Sequence, residues 1–208
     1  MHIIKIIVLI TFVYSILNLN KKHAINKKVL QILTLTFLVE LVNSTLLFFD
    51  QSIGLSLNVY QILFFLIWFL LLSTIFNLKP QHLALFISPF ILFSILNIIF
   101  FEGLFKFNYQ TFVFGSILYL LVFIIQSFAY LQKEELTLFT SDNFLLLCAP
   151  LLFFIGMSFM FAFESKEVTS TLIYGDIKLY NCICFFVNIV YYSLLCLYIF
   201  KERKLQHG

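Results

Sequence analysis

Charged residues are scarce in this sequence. They make up 11% of the 208 residues, while 62% are hydrophobic and the mean hydropathy is +1.04. An ordinary soluble domain has roughly 25% charged residues and less than half apolar ones. Because a domain of this size keeps a large surface that must be substantially polar in water, the composition excludes a soluble fold. It indicates a lipid bilayer as the main partner.

Glycine and proline are also rare, with 6 and 3 residues against 29 Phe and 10 Tyr. Small residues let transmembrane helices approach closely, so their scarcity predicts packing through bulky aromatic faces. Pro89 and Pro150 lie inside apolar runs, where each removes a backbone hydrogen bond. We expect kinks at both positions.

Motifs for catalysis and for metal or phosphate binding are missing. The histidines are scattered, and the sequence has no His-Glu-x-x-His, no Gly-x-Ser-x-Gly and no phosphate loop. The four cysteines fall within apolar runs, which disfavours a disulfide framework or a metal site; they are Cys148, Cys182, Cys184 and Cys196. The basic residues form no long stripe that would bind nucleic acid. We therefore expect no cofactor and no nucleic acid partner, and an enzyme is the less favoured class.

Apolar runs of about 20 residues, each long enough to span a bilayer, recur along the whole chain. Their apolar stretches are continuous rather than alternating, which predicts helices. The sequence thus predicts an all-α polytopic membrane protein, one transmembrane domain over residues 1–208. The predicted spans are Ile3–Leu19, Val29–Phe49, Leu57–Leu78, His82–Phe101, Thr111–Tyr130, Asn143–Phe163 and Ile177–Phe200.

Short polar segments separate these spans, among them Asn20–Lys28, Asp50–Ser56, Lys79–Gln81 and Glu164–Asp176. Pro80 is expected to start a helix, because proline disfavours helix at the residue before it. Lys and Arg in short loops mark the cytoplasmic side, and one orientation places about nine of the 13 basic residues there. In that orientation the amino terminus is outside, Lys5, Lys106, Lys166 and Lys178 are outside, and the cytoplasmic residues are Lys21, Lys22, Lys27, Lys28, Lys79, Lys133, Lys201, Arg203 and Lys204.

The first run has an alternative interpretation as a secretory signal, since Lys5 precedes the apolar segment Ile6–Leu17. No small-x-small cleavage site follows it. Cleavage would also leave the Lys21–Lys28 cluster outside, against the charge rule. We therefore interpret the first run as a helix.

Glu40 is the only acidic residue deep within a predicted span. A charge there costs about 2.5 to 3.5 kcal/mol on insertion scales, so Glu40 must be neutral, paired or hydrated. Thr36, Asn43 and Ser44 lie on the same helix face and form a polar stripe that should point into the bundle. This stripe is interpreted either as hydrogen bonding between helices or as a proton- or ligand-binding site.

Other polar side chains recur within the later spans. Asn181, Cys184, Asn188, Tyr191 and Tyr192 form a second stripe in the last span, which we also expect to face inward. Gln61, Asn97 and Gln126 lie in the third, fourth and fifth spans. The candidate polar interior, for binding or for packing, consists of Glu40, Asn43, Gln61, Asn97, Gln126, Asn181, Asn188 and Tyr192.

Three segments of the last third carry a resemblance to a known family. They are Ser141-Asp142-Asn143-Phe144 through Gly156-Met157-Ser158-Phe159, then Asn188 to Leu195, then Lys201-Glu202-Arg203-Lys204. This part of the chain resembles the small seven-helix membrane proteins common in the Bacteroidetes, which are related to the sensory membrane segments of histidine kinases. The resemblance implies a bacterial inner-membrane sensor or accessory subunit. It implies no role for any particular residue.

Three functional classes follow from these expectations. The first is a sensor or accessory subunit whose carboxyl end contacts a separate cytoplasmic or membrane signalling protein, because the eight residues after Phe200 hold no kinase. The second is a homo-oligomeric pore or membrane effector of a bacterial defence system. The third is a small membrane enzyme acting near Glu40, and it lacks an obvious catalytic pair.

Overall fold

The computed structural model describes residues 2–162, 171–175 and 177–207. Within these residues the chain folds into seven α-helices. They are α1 His2–Asn18, α2 Ala24–Phe48, α3 Gly54–Ile75, α4 Pro80–Phe100, α5 Tyr109–Gln132, α6 Asp142–Ala162 and α7 Leu179–His207. A 3-10 turn, Leu136–Leu138, lies between α5 and α6, and a short antiparallel hairpin, β1 Leu172–Tyr174 and β2 Ile177–Lys178, precedes α7.

Six of the described helices, α2 to α7, are long and apolar enough to cross a membrane. The predicted polytopic helical bundle is therefore confirmed in its class. Helix α1 has 17 residues, which gives a length of about 25 Å against a hydrocarbon core of about 30 Å. The seventh span and the orientation stay predictions.

Several predicted boundaries shift in the structure. The polar segment predicted over Asn20–Lys28 ends at His23, so Lys27 and Lys28 already lie in the first turns of α2. The last span was predicted to begin at Ile177, but that residue lies in β2, and α7 continues beyond Phe200 to His207. Pro80 does open α4, as predicted. Of the predicted outer loop Glu164–Asp176, positions 164–170 and Asp176 lie outside the described residues.

Three helices end in the same way, without glycine. Asp50, Asn77 and Glu134 follow α2, α3 and α5 with φ of 53°, 50° and 58°. In each case the N–H of the following residue donates to the carbonyl five residues earlier. The distances are 2.8 Å for Gln51 to Leu46, 2.9 Å for Leu78 to Ser73 and 3.1 Å for Glu135 to Tyr130. This left-handed termination satisfies the last carbonyls and reverses the chain within a few residues. It accounts for the short connections that the sequence predicted.

Helices that follow one another in sequence pack side by side, and α1 closes the arrangement by packing on α7. Helix α3 lies at the centre, because it contacts α2, α4, α5 and α6. Its residue Trp68 is fully buried. The alternation of direction brings the α1–α2, α3–α4 and α5–α6 connections and the end of α7 to one end of the bundle.

The interior is filled by aromatic rings, as expected from the composition. Phe65 stacks on Phe154 of α6 with centroids 4.9 Å apart, and Trp68 packs against Tyr119 at 6.1 Å and Tyr191 at 6.2 Å. Offset and edge-to-face contacts of this kind add to the burial of the rings. The centre of the bundle is thus a packed core.

Two glycines make room for this packing. A Cβ at Gly115 would lie 2.8 Å from Phe90 and 2.9 Å from Phe65. A Cβ at Gly156 would lie 2.5 Å from Cγ1 of Val187, so α6 and α7 approach closely at this point. At this contact α6 and α7 use the small residue that transmembrane interfaces favour.

Candidate functional site

Polar side chains of the bundle fall into three separate groups. The loop network comprises Asn58, Gln61, Asn97, Glu102 and Thr111, beside the α4–α5 connection. The carboxyl-end network comprises Asn26, Tyr198 and Glu202 together with the pair Asp142 and Lys201. The seam pair is Lys5 and Glu40, with Ser44, at the junction of α1 and α2.

The loop network holds the α4–α5 connection over the start of α3. The Asn58 side chain donates through Nδ2 to the carbonyls of Leu104, at 2.9 Å, and Lys106, at 2.7 Å. Its Oδ1 accepts from the backbone N–H of Asn108 at 3.0 Å. Asn58 is buried, so this one amide satisfies three backbone groups that would otherwise lack partners.

Two amides from the predicted site belong to the same network. Gln61 Nε2 donates to the carbonyl of Asn108 at 3.0 Å. Asn97 Nδ2 donates to Thr111 Oγ1 at 2.9 Å and to the carboxylate of Glu102. Glu102 also accepts from the Gln110 N–H at 3.3 Å, at the first turn of α5, where the helix dipole favours a negative charge.

The loop network therefore brings Gln61 and Asn97 together around the start of α5. Each retains one buried amide oxygen without a hydrogen-bond partner among the described residues. Most of their donor capacity is used to fix the connection between two helices. Of the two roles that the sequence left open for Gln61 and Asn97, binding and packing, the geometry supports packing.

The carboxyl-end network joins the last helix to the second. Tyr198 donates through its hydroxyl to Asn26 Oδ1 at 2.7 Å, and Asn26 Nδ2 donates to Glu202 Oε2 at 3.0 Å. Asn26 is fully buried and Tyr198 nearly so. The amide thus uses both its acceptor and its donor on α7.

A salt bridge joins α7 to α6 at the same end of the bundle. Lys201 Nζ lies 2.7 Å from Asp142 Oδ1. The next two basic residues, Arg203 and Lys204, are exposed, and the Lys204 ammonium lies 4.7 Å from the Phe200 ring centroid. The basic segment after the predicted end of the last span at Phe200 is therefore helical, with Lys201 and Glu202 contacting the bundle and Arg203 and Lys204 facing outward.

The seam pair gives Glu40 its partner. Lys5 Nζ lies 3.5 Å from Glu40 Oε2 and donates to Ser44 Oγ at 2.8 Å. Ser44 donates in turn to the Glu40 carbonyl at 2.7 Å. Of the states that the sequence allowed for Glu40, neutral, paired or hydrated, the structure shows a paired one. The expectation that the whole stripe points into the bundle is wrong for Ser44, which is exposed, and only partly met for Glu40, whose side chain is 35% exposed, because these two residues face the junction with α1.

A serine beside a lysine can act as a nucleophile when the amine is free to take its proton. Here the Lys5 ammonium is engaged by Glu40, and the Ser44 proton is directed to a backbone carbonyl. A hydroxyl that donates to the backbone cannot donate to the amine at the same time. The seam pair is therefore arranged as a structural ion pair and not as a nucleophile with its base.

Tyr192 is buried beside the α2 polar stripe. Its hydroxyl lies near Tyr60 and Glu40, and Tyr60 shares a hydrogen bond with Thr36 at 3.2 Å. Thr36 also donates to the Ile32 carbonyl at 2.9 Å. Polar groups of α2, α3 and α7 thus converge behind the seam pair.

The remaining predicted residues lie apart from these groups. Asn43 is buried, and its Oδ1 has no partner among the described residues. Gln126 is half-buried near the end of α5, and Asn188 donates to the Cys184 carbonyl on its own helix at 2.7 Å. Asn181 is exposed, so the expectation that it faces inward is wrong. It lies in the first turn of α7, before the part of the helix that packs against α6.

Several residues of these polar networks escaped the sequence reasoning. Asn58 precedes Gln61 by three residues on one face of α3, a spacing that could have identified it. Likewise Tyr198 and Glu202 continue the stripe of Tyr191 at intervals of seven and four residues. Asn26 was assigned to a loop, and nothing in its local sequence indicates a buried amide.

The loop network and the carboxyl-end network thus lie at opposite ends of the bundle, and the seam pair lies between α1 and α2. The centre of the bundle is aromatic. No metal-binding cluster of His, Cys, Asp or Glu occurs within the part of the chain that the structure describes. Comparison with protein-family models, with curated proteins and with solved structures finds no match for this chain. The function is therefore inferred from the geometry.

Proposed function

We propose that this protein is a sensor or accessory subunit of a bacterial cytoplasmic membrane, acting on a separate signalling protein through the end of α7. The amino terminus is outside and the carboxyl terminus cytoplasmic, with α1 as a seventh span. The observation that carries the proposal is the continuity of α7. It is one helix of 29 residues, about 43 Å long, so it crosses the bundle and extends past it.

A helix of this kind can pass a displacement from one side of a membrane to the other, because its backbone hydrogen bonds keep it rigid along its axis. Its final turns contact α2 through Asn26 and α6 through Asp142. Any shift of α7 must therefore change two polar contacts at the same end. A conformational switch through α7 would exchange these two contacts for others.

The charge distribution supports the proposed orientation. The helix directions place nine of the 13 basic residues at the end of the bundle that holds Asn26, Lys201 and the α3–α4 connection. Cytoplasmic loops of membrane proteins carry an excess of Lys and Arg. The exposed residues Arg203 and Lys204 then face the cytoplasm, where a soluble signalling domain could bind them. The resemblance to histidine kinase membrane segments favours the same assignment.

The two alternative classes receive less support. The described interior of one chain is filled by Trp68, Tyr119 and Phe154, so an oligomeric pore would have to run between chains, and no polar path of that kind is seen on the described surface of one chain. A catalytic role for Glu40 would need a free carboxylate or a nucleophile beside it, and the seam pair provides neither. Replacing Glu40 by Gln distinguishes a structural role from a proton-carrying one. An amide can still accept a hydrogen bond from Lys5, so a structural role should tolerate the change, whereas an amide cannot carry a proton.

The proposal is tested by affinity purification of the tagged protein from native membranes in mild detergent, followed by mass spectrometry. A kinase, a response regulator or another signalling protein should be enriched over a control membrane protein of similar abundance. Enrichment of no signalling protein, in detergent and after cross-linking in membranes, would contradict the proposal.

A further inference from the structure

The ion pair of Lys5 and Glu40, about one third exposed, lies at membrane depth. Side-chain exposure is 30% for Lys5 and 35% for Glu40. Helix α2 has 25 residues and is about 37 Å long, and Glu40 lies about 12 Å along the axis from its end at Phe48. Because the hydrocarbon core is about 30 Å thick, Glu40 falls within it.

Charged side chains exposed to hydrocarbon are costly and normally face the interior of a bundle or a water-filled cavity. The seam pair is covered by its own chain on one side only. On the other side its neighbours are apolar and exposed, since Leu9, four residues after Lys5, and Leu41, next to Glu40, are 45% and 50% exposed, and Ser44 is exposed as well. The seam pair is thus a polar spot within an apolar, lipid-facing surface.

Contacts of α1 with α2 and with α7 fix the position of the seam pair. Phe12 of α1 stacks on Phe37 of α2 with centroids 4.6 Å apart, next to the pair. The other side of α1 packs on α7, where Thr11 and Cys196 are 3.6 Å apart. The junction of α1 with α2 is therefore the side of α1 on which polar groups, Lys5 and Glu40, remain partly exposed.

We propose that a second copy of this chain covers the seam, forming a two-fold symmetric dimer in the membrane. The charge pattern selects this occupant, because the seam presents one cation and one anion at the same depth. A two-fold axis along the membrane normal places Lys5 of each copy against Glu40 of the other. Interfaces of this type are self-complementary, and polar groups are common points of association between transmembrane helices. The dimer does not depend on the sensor proposal.

Cross-linking in membranes tests the position of the interface. Leu41→Cys places a thiol beside the seam, and Leu92→Cys places one at an equally depth-matched lipid-facing site on α4, which is 60% exposed. With the native cysteines present in both, oxidation should give at least five-fold more covalent dimer for Leu41→Cys than for Leu92→Cys or wild type. Equal yields, or a cross-link from Leu41→Cys to a different protein, would overturn the proposal.

Charge reversal tests the contact between Lys5 of one copy and Glu40 of the other. The test stays informative even when one single variant folds poorly. Lys5→Glu and Glu40→Lys each place like charges across the dimer, so each should lose self-association. When the two are expressed together with different tags, opposite charges meet only between chains, and the mixed dimer should be recovered at near the wild-type level. Self-association by both single variants, or failure of the mixed pair when the double variant Lys5→Glu, Glu40→Lys in one chain is well folded, would overturn the contact.

Discussion

Tyr198 donates a hydrogen bond to Asn26 at 2.7 Å, between residues 172 positions apart in sequence. The contact fixes the last helix to the second at the end of the bundle that carries most of the positive charge. Tyr198 also extends the line of Tyr191, so the aromatic core and the carboxyl-end network are parts of one helix face. Disturbing this contact should loosen α7 without affecting insertion.

Tyr198→Phe removes only the hydroxyl and leaves Asn26 Oδ1 buried without a partner. We expect a loss of about 1 kcal/mol in unfolding free energy, in line with hydrogen bonds between membrane helices. The measurement is unfolding in mixed micelles with increasing denaturing detergent. Tyr14→Phe, on the half-buried part of α1, is the matched control and should change the midpoint less. Equal shifts for the two variants would contradict the assigned contact.

Gly54→Ala tests the seating of the α4–α5 connection on α3. A Cβ at this position would lie 1.8 Å from the Phe105 carbonyl oxygen, so the connection must move. We expect a loss of about 1 to 3 kcal/mol, the usual cost of overpacking, and faster amide exchange over residues 101–108. Leu55→Ala changes an exposed neighbour and should leave exchange in this segment as it is in wild type. Unchanged exchange in Gly54→Ala would show that the connection is not held there.

Replacing Asn58 or Gln126 by leucine should affect the stability of the protein differently. Asn58→Leu removes three hydrogen bonds to the backbone and is expected to cost about 2 kcal/mol. Gln126→Leu removes an amide for which no hydrogen bond is seen within the described residues, and should be neutral or stabilising. Both are measured as shifts in thermal unfolding of the purified protein in detergent. A larger loss for Gln126→Leu would overturn this distinction.

These contrasts show what the sequence could and could not supply. Apolar run length predicted the six helices that are long enough to cross a membrane, with ends that differ by seven residues at most, because hydrocarbon thickness limits helix length directly. Pro80 marked a helix start by its fixed φ. The partner of Glu40 could not be predicted, since Lys5 lies on another helix and its role depends on helix rotation. For the same reason Gln61 and Asn97 were recognised as buried polar residues, whereas their common target, the start of α5, was not.

The predicted orientation gives a separate expectation. Single cysteines introduced at Lys22 and Lys133 should be labelled by a membrane-impermeant maleimide only after the cytoplasmic side is opened, and one at Ser52 should be labelled in intact cells. The positive-inside rule is the physical reason. Protection of Ser52→Cys with labelling of Lys22→Cys in intact cells would reverse the topology, and a cytoplasmic amino terminus would show that α1 does not span.

The exposed residues Arg203 and Lys204 at the end of α7 provide the most direct test of the sensor proposal. Arg203 and Lys204 are exposed, whereas Lys201 pairs with Asp142, so only the first two are free to contact a partner. The measurement is the amount of signalling partner that co-purifies with Arg203→Gln, Lys204→Gln at matched membrane abundance. Lys27→Gln, Lys28→Gln is the control, because it removes the same charge at the same end from a different helix. The account predicts at least a five-fold loss of partner for the α7 variant and little change for the control. Equal recovery of the partner with both variants would contradict it.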